Sequence, residues 1–227
     1  MCLSSFGPKP VKLANQYGLL RHGESIANVL GIVTSDPAVA TIRYGLTPHG
    51  AEQVRQSASA YRDRLAGSHV RLISSDLLRA RQTAEIARRV LGAPAVANCI
   101  GLRERRFGDW EGQPGDSFGE YFYEQEEAHV ETAGVETTHA VFRRMLGVVA
   151  AAEQCYRDKL VILTSHGDPL QILQTAFSQP ETLSHPMDYR NWPMPQNGVL
   201  NIVGNVITAE AAQVAGITGG SAPDTVA

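Results

Sequence analysis

The 227-residue sequence lacks the features that mark several large classes of protein. Its three cysteines, Cys2, Cys99 and Cys155, are sparse and odd in number, which argues against a disulfide framework and for a reducing compartment. No apolar run approaches the roughly 18 residues that a membrane helix needs, and the N-terminus has no apolar stretch typical of a secretory signal. We therefore expect a cytoplasmic protein with no membrane association.

The formal net charge is −3, so nothing in the charge balance indicates a surface that binds nucleic acid. Apolar residues make up 43% of the chain, enough for a sizeable core. The length suits one large α/β domain. We expect an irregular leader at 1–15, a single domain at 16–208, and a flexible or loosely docked tail at 209–227 that is rich in small residues.

Short runs of Val, Ile and Leu bounded by turn residues predict buried strands. They lie at 16–20, 70–74, 96–100, 160–164 and 199–203, with a further short one at 206–208. Helical patterns fall between them: one is capped by Thr47, one is capped by Asp76 and ends at Gly92, one covers 142–156, and one starts at Asp168. This alternation predicts a three-layer α/β/α sandwich around a mostly parallel sheet of about six strands.

Two of the predicted strands run into a His-Gly pair. Leu19-Leu20-Arg21-His22-Gly23-Glu24-Ser25 is the first, and Ile162-Leu163-Thr164-Ser165-His166-Gly167-Asp168 is the second. Parallel strands that end this way can bring both imidazoles to one cleft, since ligands bind at the carboxyl ends of such strands. A glycine after each histidine lets the backbone approach a ligand and leaves an N–H free to donate to it.

Two further segments follow predicted strands and carry arginines. Ser75-Asp76-Leu77-Leu78-Arg79-Ala80-Arg81-Gln82-Thr83-Ala84 places Arg79 in the first turn of a helix. Leu102-Arg103-Glu104-Arg105-Arg106-Phe107-Gly108-Asp109-Trp110-Glu111-Gly112 places one glutamate within an arginine run. Together with the run at 21–28 and Ser-His-Gly at 165–167, these motifs resemble the histidine phosphatase superfamily, the phosphoglycerate-mutase-like group, from about residue 17 to residue 201.

The resemblance implies a role for each motif residue. His22 would be the nucleophile that takes the phosphoryl group, Arg21 and Arg79 would clamp the phosphate, and His166 would donate to the same oxygens. Glu104 would act as general acid and then as base, with its pKa raised mainly by the bound phosphate. The remaining substrate contacts would come from Asn28, Gly167 and Glu24. Asn28 could instead bond its own turn, and Glu24 could be a helix-terminal charge.

The expected reaction is metal-independent hydrolysis of a small phosphomonoester, with no cofactor and no metal site. The five histidines outside the motifs, at 49, 69, 129, 139 and 185, have no metal-ligand spacing with one another. Cys99 and Arg105 have the spacing of cysteine-based phosphatases, but Glu104 would lie inside that loop and repel a phosphate. A homodimer remains possible, since edge strands can pair.

Two other functions stay open. Phosphoglycerate mutases of the superfamily share the catalytic residues but have a paired arginine after the Glu-Arg motif, where this chain has the acidic stretch 120–131. A non-catalytic phosphate-binding module is the second alternative, although a binder does not need a proton donor. The loop at 31–47 departs from the common pattern, and we expect it beside the mouth of the site.

Overall fold

The computed structural model describes residues 9–65, 69–118, 133–177 and 186–218. Strands and helices alternate along the chain. The strands are β1 (Val11–Arg21), β2 (Val70–Ser74), β3 (Ala97–Asn98), β4 (Leu160–Ser165) and β5 (Leu200–Ile207). The helices are α1 (Ile26–Leu30), α2 (Pro37–Ala40), α3 (Pro48–Leu65), α4 (Leu78–Leu91), α5 (Thr138–Cys155), α6 (Gly167–Gln174) and α7 (Ala209–Ala215), with short 3₁₀ turns at Ile100–Leu102, Gly108–Trp110, Thr175–Phe177 and Pro186–Asn191.

The sheet has the strand order β3-β2-β4-β1-β5. The first four strands in this order are parallel to one another, and β5 runs antiparallel to β1 at one edge. The carboxyl ends of β1, β2 and β4 therefore lie side by side. The prediction of a mostly parallel sheet is confirmed, with five strands in the described part of the chain rather than about six.

Helices cover both faces of the sheet. Along β4, Val161 and Leu163 pack into one core cluster with α5, α6 and α7, whereas Leu160 and Ile162 pack into a second cluster with α3 and α4. Side chains alternate in this way because successive residues of a strand point to opposite faces. All six residues of β4 are buried, as expected for a central parallel strand. The three-layer α/β/α prediction is confirmed.

The predicted leader and the predicted sixth strand were both misplaced, for one structural reason. Strand β1 starts at Val11, so residues 11–15 belong to the sheet and not to an irregular leader. Val11 and Lys12 pair with Ile207 and Val206, across a register shift near Gly204, which has φ 94°. The pairing keeps residues 200–207 in one long strand, so the expected break before Val206 does not separate two strands.

The start of the predicted tail is also better ordered than expected. Helix α7 is capped by the Thr208 hydroxyl, which accepts from the backbone N–H of Ala211. Ala211 and Ala212 are buried in the cluster on the α5 face of the sheet. Residues 209–215 are therefore a packed helix, and residues 219–227 lie outside the described residues.

Two predicted helix boundaries hold and one cap does not. Helix α3 starts at Pro48, and the Thr47 hydroxyl accepts from the N–H of Gly50. Gly92 ends α4 in the left-handed region, with φ 64°. Asp76 does not cap α4, because its carboxylate binds the Arg103 guanidinium at 2.6 and 2.7 Å. No described helix is both long and apolar enough to cross a membrane.

Candidate active site

The two His-Gly pairs meet at one end of the sheet. Arg21 of β1 pairs with Ser165 of β4, so His22 and His166 leave adjacent parallel strands at the same level. Their ring centroids are 5.1 Å apart. Both side chains are almost completely buried. The register of two neighbouring strands is therefore what brings together two residues that are far apart in the chain.

The hydrogen bonds of His22 define its tautomer. Nδ1 lies 2.8 Å from the carbonyl oxygen of Gly23, which can only accept, so Nδ1 carries the proton. Nε2 is then the unprotonated nitrogen, and it accepts from Nε of Arg79 at 3.1 Å. Burial lowers the pKa of His22 well below its usual value, and the charges of Arg79 and Arg21 lower it further. The ring is therefore neutral, with a lone pair on Nε2.

The glycine after His22 serves packing and not ligand binding. A Cβ on Gly23 would lie 2.3 Å from the carbonyl oxygen of Gly50, in the first turn of α3. The N–H of Gly23 donates to the Thr83 hydroxyl at 3.1 Å. The expectation of a free N–H at this position was wrong, because the loop is pressed against α3 and α4.

Two arginines converge on the His22 ring. Arg79 is buried, and besides bonding His22 its Nη2 donates to the Thr34 carbonyl at 3.0 Å. Arg21 donates through Nη1 to the Pro195 carbonyl at 2.8 Å. Nη1 of Arg79 and Nε of Arg21 are buried and have no partner among the described residues. Buried donors without partners are costly, so these two N–H groups are available to an anion.

His166 is oriented by a residue that the sequence did not single out. Its Nε2 lies 2.9 Å from the Ser75 hydroxyl, and that hydroxyl already accepts from the N–H of Leu77. The Ser75 hydroxyl can donate to Nε2, and in that arrangement the imidazole proton lies on Nδ1. Nδ1 is buried without a hydrogen-bond partner among the described residues and lies 3.9 Å from Oε2 of Glu104. Burial and nearby cations lower the pKa of His166 well below its usual value.

Glu104 lies opposite the histidines with a side chain that is only 10% exposed. Its Oε1 accepts from the N–H of Arg105 at 3.0 Å, and its Oε2 is 3.8 Å from Nη2 of Arg79. Burial raises the pKa of Glu104 to about 7, and the charge of Asp168 raises it as well, while Arg79 and Arg21 oppose the rise. We expected a bound phosphate to be the main cause, but burial and Asp168 already act without one.

Two arginines outside the cleft hold the segment that carries Glu104. Arg144 of α5 donates to the carbonyl oxygens of Gly101, Arg103 and Glu104 at 2.8, 2.8 and 3.3 Å. The buried guanidinium of Arg105 donates to the carbonyl of Glu136 and to the hydroxyl of Thr138. The backbone of this segment has little regular structure, so side-chain donors replace the ladder that a strand would supply.

The arrangement around Arg105 also excludes a cysteine-based phosphatase loop between Cys99 and Arg105. The Arg105 guanidinium is bound on the α5 side, and the half-buried Cys99 packs against the core just after β3. The two residues do not frame a phosphate loop.

The other three residues expected to bind substrate, besides the two arginines, are placed differently from one another. Gly167 lines the cavity and opens α6, so its N–H has no partner within the helix. Asn28 also lines the cavity, but its Oδ1 accepts from the N–H and the hydroxyl of Ser25 in a capping box. Only its Nδ2 donors remain for a ligand. The carboxylate of Glu24 accepts from the Thr47 hydroxyl at 2.7 Å and does not line the cavity.

These groups surround a cavity of about 440 Å³. Ile32, Val33 and Thr34 form part of its wall, so the unusual loop does lie beside the site as expected. Apolar side chains from other segments add to the wall, namely Phe107, Phe118 and Met194. The cavity is thus lined by charged groups on one part of its wall and by apolar side chains on another. The acidic stretch 120–131, on which the comparison with mutases depended, lies outside the described residues.

The cleft also contains a group of possible metal ligands. Within the described residues, the donor atoms of His22, Glu104 and His166 all lie within 4.8 Å of one another. The surroundings favour an anion over a cation, because Nε2 of His22 already faces the Arg79 guanidinium and Arg21 is adjacent. Titration with a divalent metal ion and then with a chelator tests whether this donor set binds a cation.

Several supporting residues were not recognised from the sequence. Ser75 and Thr83 belong to the same motif as Arg79. Their positions, one beside a strand end and the other one turn into a helix, could have identified them. Asp168 lies two residues after His166 in the first turn of α6. Arg144, in contrast, gives no local signal, because it is one of several polar residues in a long helix.

A family model described as the histidine phosphatase superfamily (branch 1) matches residues 18–204. The chain belongs to this superfamily. Among curated proteins it is similar to an uncharacterized phosphatase, PhoE, of Bacillus subtilis (strain 168), with 28% identity over 162 residues, covering 70% of this chain and 76% of the relative. All the residues placed at the cleft lie within the range that the family model matches.

Solved structures of the superfamily have the same fold. Bacillus stearothermophilus YhfR matches with a TM-score of 0.65 and 26% identity over 83% of this chain and 90% of the other. A mycobacterial glucosyl-3-phosphoglycerate phosphatase in complex with VO3 matches with a TM-score of 0.65 and 23% identity, covering 82% and 90%. The alpha-ribazole phosphatase from Shigella flexneri matches with a TM-score of 0.61 and 24% identity, covering 82% and 88%.

Proposed function

We propose that this histidine phosphatase superfamily member hydrolyses small phosphomonoesters without a metal ion, through a phosphohistidine on His22. The observation that carries the proposal is the state of His22. Its Nδ1 proton is held by the Gly23 carbonyl, and its unprotonated Nε2 lies beside two guanidinium groups at a cavity. A neutral imidazole with a fixed tautomer is what nucleophilic attack on phosphorus requires.

Substrate binding would use the donors that lack partners. The phosphate would accept from Arg79 and Arg21, from the N–H of Gly167, and from Nδ2 of Asn28. Planar guanidinium groups suit the equatorial oxygens, where negative charge accumulates in the transition state. The Nε–H of Arg79, which bonds Nε2 of His22 here, would turn to a phosphate oxygen, so the anion would free the nucleophile at the moment it binds.

The first chemical step forms the bond from Nε2 of His22 to phosphorus and breaks the ester P–O bond. The departing oxygen takes the proton of Glu104, whose raised pKa of about 7 keeps it protonated near neutrality. In the second step a water oxygen bonds to phosphorus and gives a proton to Glu104, while the bond from phosphorus to Nε2 of His22 breaks. Inorganic phosphate leaves and the neutral imidazole of His22 is restored. His166, with its proton on Nδ1, would donate to the same phosphoryl oxygens.

The names of the relatives favour small substrates. The structural neighbours include a glucosyl-3-phosphoglycerate phosphatase and an alpha-ribazole phosphatase, both of which act on phosphorylated metabolites by name. A cavity of about 440 Å³ lies in the range of small-molecule sites. We therefore propose a phosphorylated metabolite as substrate, with the leaving alcohol against the apolar part of the wall.

The first test is hydrolysis of para-nitrophenyl phosphate between about pH 5 and 7 with EDTA present. The proposal predicts full activity in EDTA, loss of turnover in His22→Ala, and normal turnover in His69→Ala, a matched change at an exposed histidine. Activity that EDTA abolishes would refute the metal-independent mechanism, and inactivity on a panel of phosphoesters would favour a binding module.

The second test concerns the role of Glu104. In single-turnover experiments Glu104→Gln should slow phosphoryl transfer from an alkyl phosphate much more than from para-nitrophenyl phosphate, since nitrophenolate leaves without a proton. Equal losses on both substrates would count against the acid role. Isomerisation of a phosphoglycerate, stimulated by a bisphosphoglycerate, would instead identify a mutase.

A further inference from the structure

A second carboxylate shares the cleft with Glu104, and the proposed mechanism assigns it no task. Asp168 is the second residue of α6, and its side chain lines the same cavity as Glu104. That side chain is 23% exposed, whereas the side chain of Glu104 is 10% exposed. Two carboxyl groups in one cleft repel each other when both are ionised, so their surroundings decide which one holds a proton.

Arg105 distinguishes the two carboxyl groups. Its Nη1 lies 3.6 Å from Oδ2 of Asp168, so a cation balances the charge of Asp168. Glu104 receives only the backbone N–H of the same residue, at 3.0 Å. The Arg105 guanidinium cannot swing from one carboxylate to the other, because it is fully buried and also bonded to Glu136 and Thr138. The first turn of α6 adds a positive dipole end beside Asp168.

We infer that Asp168 is a positioning residue that carries the negative charge of this pair and thereby keeps Glu104 protonated for proton donation. The inference rests on the proposed phosphatase mechanism, in which Glu104 is the acid. In that mechanism the Glu104 proton passes to the departing ester oxygen as the P–O bond breaks, and the second step returns a proton from water. Asp168 neither gains nor loses a proton in either step.

The other charges that face Glu104 act in the opposite direction. Arg79 of α4 approaches Oε2 to 3.8 Å, and Arg21 extends from the end of β1. His166, at the end of β4, is 3.9 Å from Oε2 and is neutral. Arg144 of α5 contacts Glu104 through its backbone carbonyl and not through its carboxylate. Against two guanidinium groups, burial and the charge of Asp168 are what raise the pKa of Glu104.

The decisive variant is Asp168→Asn, which removes the charge and keeps the shape. On an alkyl phosphate this variant should lose activity at a lower pH than the wild type does. The alkaline limb of its pH profile should move down by about one pH unit. Single-turnover cleavage of para-nitrophenyl phosphate should change less than about twofold, since that leaving group needs no proton. Asp168→Glu should restore the limb. Glu85→Gln, which removes a partly exposed carboxylate that does not line the cavity, should leave the profile unchanged.

A double variant separates tuning from direct proton donation. In a Glu104→Gln background, Asp168→Asn should cause no further loss on the alkyl phosphate, because the group that it tunes is gone. An unshifted alkaline limb in Asp168→Asn would overturn the inference. So would a loss from Asp168→Asn that adds fully to the loss from Glu104→Gln, because Asp168 would then be acting by itself.

A measurement without turnover keeps this inference distinct from the proposed function. In ¹³C-carboxyl NMR titrations, with the Glu104 signal assigned from its absence in Glu104→Gln, the pKa of Glu104 should be lower in Asp168→Asn than in the wild type. An unchanged Glu104 titration would refute the effect of Asp168 even in an active enzyme. A wild type without phosphatase activity would refute the proposed function, and with it the catalytic purpose of the effect, whatever the titration showed.

Discussion

Replacing Glu104 with glutamine should change how the stability of the protein depends on pH. The side chain is buried, and its pKa is raised from the usual 4.5 to about 7. Between these two values the folded protein holds a proton that the unfolded chain has released. Stability of the wild type therefore falls as the pH rises through this window, and the variant, which has no proton to lose, escapes the fall.

The magnitude follows from the width of the window. A gap from 4.5 to about 7, at about 1.36 kcal/mol per pKa unit, corresponds to a free energy on the order of 3 kcal/mol. His22 and His166 act with the opposite sign, because their pKa values are lowered in the folded state and their contribution is lost as the pH falls below the usual 6.5. Both histidines are present in both proteins, so their effects largely cancel in the difference.

The assay is urea unfolding of wild type and Glu104→Gln at several values between about pH 5 and 8. The free energy of unfolding of the variant, minus that of the wild type, should rise by roughly 2 to 3 kcal/mol across the range. Glu85→Gln is the control, since the pKa of Glu85 is lowered to about 2 and this group is ionised in both states throughout. If the difference in free energy of unfolding between Glu104→Gln and the wild type were as independent of pH as that of the control, folded Glu104 would ionise as it does in water. That result would refute a raised pKa of Glu104.

Three further substitutions test other parts of the site. Gly23→Ala places a Cβ 2.3 Å from the Gly50 carbonyl, so unfolding in urea should show a loss of about 1 to 3 kcal/mol, and wild-type stability would contradict the close contact. Arg79→Lys keeps the charge but loses the planar fork, and kcat/KM should fall about 100-fold; a change below threefold would mean that charge alone suffices. Arg144→Met removes the donors to the Glu104 segment, so kcat should fall more on an alkyl phosphate than on para-nitrophenyl phosphate, and equal falls would argue against a role in placing the acid.

The parts of the fold that follow from local pattern were predictable. Runs of Val, Ile and Leu predict the buried strands. The His-Gly pairs at two strand ends predict that the side chains of His22 and His166 lie close together. That meeting needs only parallel strands in neighbouring positions, which the strand-helix alternation indicates. The strand order of the sheet is therefore sufficient to bring these two histidines into one cleft.

The misses all depend on partners distant in sequence. Asp76 has the composition of a helix cap, yet it binds Arg103, which lies 27 positions later. Residues 11–15 look irregular until the last strand pairs with them. Asp168 acquires a partner only when Arg105 is folded against α5 and α6. A local pattern encodes propensity, whereas these contacts are fixed by tertiary packing, which overrides propensity.

The central claim is that Nε2 of His22 becomes covalently bonded to phosphorus. Its most direct test is to mix Glu104→Gln with para-nitrophenyl phosphate in EDTA and to analyse the protein by mass spectrometry. The first step needs no proton for this substrate, but the second lacks its base, so a phosphoryl group should accumulate on His22, acid-labile and base-stable, with a matching burst of nitrophenol. Nitrophenol release without any phosphate on His22, or with the phosphate on another residue, would contradict the account.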